Sequence, residues 1–144
     1  MRRCKISIAT RIALLAVFIL TIIIVACTSV EKVEPVASVE IDESNNGEQI
    51  ELALGEVLAV RLESNPSTGY VWEIDELDES VIRQIGEAVF ELSVPDNPPP
   101  GTGGWATYRF EAVGEGKSEL RLLYHQPWTE DPPLVIYVVQ VGVH

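Results

Sequence analysis

From Val39 onward, apolar residues never recur at helical spacing for three turns; they alternate with polar residues between closely spaced turn-formers. A period of two puts one face of an extended segment into a core and the other into water. Val39 and Ile41 alternate with Glu40 and Asp42 ahead of a turn at Asn45-Asn46-Gly47, and Ile50, Leu52 and Leu54 alternate with Glu51 and Ala53 up to Gly55-Glu56. Val57 to Glu63 follows, with Arg61 and Glu63 facing away from Val60 and Leu62. Tyr70 to Ile74, Ala88 to Val94, Trp105 to Ala112, Glu119 to Tyr124 and Leu134 to Val143 read as further strands, with a short apolar segment at Val81, Ile82 and Ile85. Gly114-Glu115-Gly116 reads as a hairpin turn. The fold class expected is all-β, an immunoglobulin-like β-sandwich of seven or eight strands.

The start of the chain is of another kind. Arg2, Arg3, Lys5 and Arg11 lead into an apolar run from Ile12 to Ala26 broken only by Thr21. Its 15 residues fall short of the roughly 20 of a spanning helix, and the basic approach suits an export signal. The run ends Ile24-Val25-Ala26-Cys27, which resembles the bacterial lipobox, and that resemblance implies lipidation of Cys27 as a new N-terminus. Residues 1–26 are therefore read as a lipoprotein signal peptide, 27–37 as a lipidated N-terminus and flexible tether, and 38–144 as the folded domain. The other reading is an uncleaved anchor with Cys27 an ordinary buried cysteine. Both readings place the domain outside the cytoplasm, held to a membrane at the cell surface or in the periplasm.

Composition then removes function classes. With Cys4 cleaved away and Cys27 consumed, the domain has no thiol for a disulfide, a nucleophile or a metal site. Six of the ten Lys and Arg and all 22 Asp and Glu follow Cys27, a net charge of −16 with His neutral. Such a domain repels nucleic acid and anionic lipid. A triad of Ser67, His125 and Asp131 is conceivable, but nothing around Ser67 resembles a nucleophile elbow, and His125 reads as an exposed loop residue. The run Asp75, Glu76, Asp78, Glu79 lacks the glycine and ligand spacing of a calcium loop and reads as a solvated charge run. No metal and no cofactor are expected.

Three loops remain, at Asn65 to Gly69, Pro95 to Gly104 and His125 to Pro133, and loops of a sandwich gather at its ends. Asn65 can bond its own backbone, Pro66 fixes φ and Gly69 permits a positive φ; an ordinary turn is indifferent to Ser67 and Thr68. Trp72, in phase with Tyr70, reads as core; Trp128, between Pro127 and a polar run, reads as exposed; for Trp105 the register leaves both readings open.

Asn65-Pro66-Ser67-Thr68-Gly69-Tyr70, then Gly101-Thr102-Gly103-Gly104, then Gln126-Pro127-Trp128 resemble, in order and separation, the three signature loops of the chagasin-type inhibitors of papain-like cysteine peptidases. The resemblance covers residues 38–144. It implies reversible, competitive occlusion of the peptidase cleft without chemistry: the first loop over the catalytic pair with Thr68 at its tip, the glycine-rich loop along one side, Trp128 against an aromatic surface on the other. These thirteen residues are the expected peptidase-binding site, on a monomer. Ser67 stands where the family favours Thr, and Gln126 where it usually has Arg, which removes a cation and a possible bidentate contact. The alternative is a lipoprotein adhesion or ligand-binding module using the same loops on a surface protein or glycan.

Overall fold

The alternation resolves into two facing sheets. The structure, a computed structural model, describes residues 38–144; the apolar run, Cys27 and the tether lie outside the described residues. Nine strands are present among them: β1 (Ser38–Ile41), β2 (Gln49–Leu52), β3 (Val57–Ser64), β4 (Val71–Glu76), β5 (Ile82–Gln84), β6 (Val89–Leu92), β7 (Gly104–Ala112), β8 (Gly116–His125) and β9 (Val135–Val143). One sheet runs β1-β3-β7, with β5 and β6 both on the far edge of β7; the other runs β2-β9-β8-β4. β1 lies parallel to β3 and β2 parallel to β9, and the remaining pairs are antiparallel. β5 and β6 follow one another along the same edge, opposite Ala112 to Phe110 and Thr107 to Gly104. Together they fill one strand's place, so the extra strand changes the count and not the architecture.

Inward-facing positions carry the core. Leu58, Val60 and Leu62 of β3 meet Tyr108 and Phe110 of β7, Leu120 and Leu122 of β8, and Tyr137, Val139 and Val141 of β9. Each large apolar side chain so buried contributes roughly 1.5–3 kcal/mol, and the described residues make one compact unit around this single core. Trp72 belongs to it at 9% exposure. Polar bonds bolt the layers together: Trp72 Nε1 donates to Glu63 O at 2.8 Å, Tyr108 Oη to Trp72 O at 2.8 Å, and Tyr137 Oη to Asp42 O at 3.0 Å. Burial raises both phenols above the ordinary tyrosine range, so they stay neutral donors.

One expectation is corrected. Gly114-Glu115-Gly116 is not a hairpin turn, because β7 and β8 lie in different sheets. The segment crosses between layers, with Val113 N and Gly114 N both donating to Val81 O. Turn chemistry fixes a local reversal; which sheet receives the next strand is decided by the core it must cover. The same crossing occurs between β1 and β2, β2 and β3, β3 and β4, and β4 and β5.

Ser64 pairs with Gly104, Leu92 with Gly104, Val71 with His125 and Tyr124 with Val135. Those pairs are the last rungs at one end of the sandwich, where the three loops emerge.

Candidate functional site

The first loop is a single 3-10 turn, Pro66–Thr68, that satisfies its own polar groups. Thr68 N and Thr68 Oγ1 both donate to Asn65 O, at 3.0 and 2.7 Å, and Ser67 Oγ donates to Asn65 Oδ1 at 2.6 Å. Both hydroxyls thus belong to the turn, so its local chemistry accounts for Ser67 and Thr68 as well. Gly69 closes it with φ +84°, the left-handed region that favours glycine, and its N–H donates to Pro66 O at 3.0 Å. Pro66, Ser67 and Thr68 are exposed.

The other two loops hold this turn from both sides. Asn65 Nδ2 donates to Gly101 O at 3.0 Å, tying it to the glycine-rich loop. On the opposite side Gln126 Nε2 donates to Thr68 O at 3.1 Å. The indole edge of Trp128 closes over Gly69: a Cβ there would meet Trp128 Cη2 at 2.5 Å and Cζ2 at 2.6 Å. Trp128 is nonetheless 66% exposed, with one edge on the turn and its face in solvent. Pro127 and Gly101 are exposed beside it, while Thr102, Gly103 and Gln126 are half-buried at the junctions. The second loop is secured at its neck, where Ser93 N and Oγ donate to Gly103 O at 3.0 and 2.8 Å, and within itself by Thr102 Oγ1 donating to Pro99 O at 2.6 Å. Gly104 sits flat against β6, where a Cβ would lie 1.9 Å from Glu91 O.

All thirteen expected site residues therefore gather at one end, joined through the first loop. Tyr124 is the member that the loop pattern misses. Its hydroxyl accepts from Asn65 N at 2.9 Å, and its ring lies 5.4 Å from Tyr70 and 4.9 Å from Trp72, an aromatic ladder from core to turn. The signal for it was its inward phase with Leu120 and Leu122, one step before the third loop.

Several other readings change. His125 is not a loop residue but the last of β8, and its Nε2 pairs with Glu73 Oε2 at 2.8 Å. With Ser67 turned to Asn65, the triad of Ser67, His125 and Asp131 is not assembled. Asp75 and Glu76 pair with Arg121, and Asp78 accepts from Ser80 N and Oγ, which holds its carboxyl below the usual range; part of the acidic run is thus engaged locally. No group of three potential metal ligands occurs among the described residues. Trp105 is neither core nor loop tip: it lies on the outer face of its sheet beneath Arg61, whose guanidinium carbon is 4.1 Å from the ring centroid. The loops themselves, 65–70, 93–103 and 126–134, contain no Lys or Arg and three carboxylates, Asp96, Glu130 and Asp131.

The three end loops thus join into one ridge that carries no Lys or Arg. The family model described as chagasin family peptidase inhibitor I42 matches residues 51–141. The chain belongs to that family of peptidase inhibitors, and it is an inhibitor and not an enzyme. It is 28% identical over 91 residues to chagasin of Trypanosoma cruzi, covering 62% of this chain and 83% of the relative. It is 28% identical over 101 residues to amoebiasin-1 of Entamoeba histolytica, covering 70% and 95%. In fold it resembles the cysteine protease inhibitor EhICP2 of Entamoeba histolytica, with a TM-score of 0.65 and 19% identity over 75% of this chain and 96% of the other. The solution structure of amebosin gives a TM-score of 0.61 with 26% identity over 75% and 98%.

Proposed function

We propose that this domain is a reversible, competitive inhibitor of papain-like cysteine peptidases that occludes the active-site cleft with its three loops, acting as a monomer and without a cofactor. The observation that carries this reading is the joining of the loops: Gly101, Gln126 and Trp128 all close on the Asn65–Tyr70 turn. A turn whose hydrogen bonds are already made loses little freedom on docking. It also offers a peptidase no extended bond to cut. The chain would be tethered outside the cytoplasm through lipid on Cys27, a reading supported by the basic start, the apolar run and Ile24-Val25-Ala26-Cys27. The adhesion or glycan-binding alternative is less well supported, since the hydroxyl hydrogens of Ser67 and Thr68 are already donated inside the turn.

The test is steady-state inhibition of papain by residues 28–144, which carry the whole core. Apparent KM should rise with inhibitor while kcat stays constant. Trp128→Ala should weaken inhibition by about thirtyfold, because truncating an interface tryptophan typically costs about 2 kcal/mol. A folded protein that inhibits neither papain nor any cathepsin-like enzyme would sink the proposal. For the anchor, the full chain made in a bacterial host should incorporate labelled palmitate, and Cys27→Ser should not; labelling that survives Cys27→Ser refutes the assignment.

A further inference from the structure

The residue that departs most from the family pattern points inward rather than outward. Gln126 Nε2 reaches Thr68 O at 3.1 Å and lies against Gly69, 3.5 Å from where a Cβ would stand. Thr68 is the tip of the wedge, and its carbonyl is the one tip acceptor reached from another loop among the described hydrogen bonds. On the same side the Trp128 edge bears on Gly69. From the second loop Gly101 O accepts from Asn65 Nδ2, and from the end of β8 the Tyr124 hydroxyl accepts from Asn65 N. The turn is thus clamped between two loops, with Gln126 the only side chain from another loop that bonds Thr68 among the described residues.

We infer that Gln126 is a positioning residue: its amide orients the Thr68 carbonyl and holds the wedge in its docking pose before any peptidase arrives. This rests on the inhibitor reading above. The third loop then acts twice, presenting the Trp128 face outward while bracing the first loop inward. A neutral amide suits the second task, since it donates to a carbonyl without leaving a buried charge to neutralise. When only a fraction of the free molecules holds the competent pose, apparent affinity falls by that fraction. Loss of the brace should therefore appear first in association.

The experiment compares wild type, Gln126→Met and Gln126→Arg as residues 28–144. Gln126→Met keeps the length and removes the donor; Gln126→Arg restores a donor on a longer stem. Two readouts are taken: 15N order parameters of Thr68 and Gly69 in the free protein, and association and dissociation rates with papain. Gln126→Met should lower the order parameters and weaken inhibition by about tenfold, mainly through slower association, the size expected for one hydrogen bond. Gln126→Arg should recover the order parameters. Unchanged order at Thr68 and Gly69 in Gln126→Met overturns the inference, and so does a loss of affinity confined to dissociation, which would make Gln126 a direct contact. The order parameters need no peptidase. Failure of wild type to inhibit would thus refute the inhibitor reading, and the brace would still be decided on its own.

Discussion

Thr68→Arg should raise the inhibition constant for papain by about a thousandfold, an effect of about 4 kcal/mol, while thermal unfolding stays close to wild type. Thr68 is the exposed crest of a turn stiffened from within and from both flanks. A guanidinium there lengthens the wedge at its leading point and must be stripped of water in a cleft shaped for an uncharged loop, a loss of several kcal/mol when no partner waits. Folding should hardly register the change, because only the exposed Thr68 Oγ1 bond to Asn65 O is lost. Paired inhibition and melting curves separate the two effects. An inhibition constant within a few-fold of wild type would show that the tip does not enter the cleft.

Gly104→Ala should be the most damaging single methyl. Its Cβ would stand 1.9 Å from Glu91 O, 2.8 Å from Glu91 C and 2.9 Å from Leu92 Cα, all backbone atoms of β6. No rotamer relieves a clash with backbone, so β6 must leave the edge of β7 or the first rung of β7 must shift. Overpacking of this kind costs about 3 kcal/mol at the upper end of its common range, read as a lower urea midpoint. Inhibition should weaken too, since the Ser93–Gly103 neck of the second loop sits on the displaced rung. Wild-type stability in Gly104→Ala would mean that β6 does not pair with β7 as described.

How legible this was depended on whether a feature is local. The strands follow from period-two alternation, and Trp72 and Trp128 were separable by phase and neighbours alone. The three loops stood out because their residues constrain backbone. Sheet membership did not stand out: Gly114-Glu115-Gly116 carries hairpin chemistry yet joins two sheets, since the destination of β8 is fixed by pairing with β4 and β9 far along the chain. Trp105 was undecidable because its cover, Arg61, comes from the neighbouring strand β3. The functional direction of Gln126 was equally hidden: side-chain chemistry names a donor, but only the assembled loops show that its acceptor is Thr68 of the same molecule.

The crossings between layers also impose an order in time. β9 is an interior strand, flanked by β8 and by β2, with Gln49 opposite Gln140 and Leu52 opposite Val143. The β8–β9 pairing is local, but the β2–β9 pairing spans most of the domain and forms late, after a long loop has closed. Until β9 docks, β2 has no neighbour and β8 lacks one of its two. The Asn65–Tyr70 turn therefore waits on chain made long after it, since Gln126 and Trp128, which close on Thr68 and Gly69, come from the loop between β8 and β9.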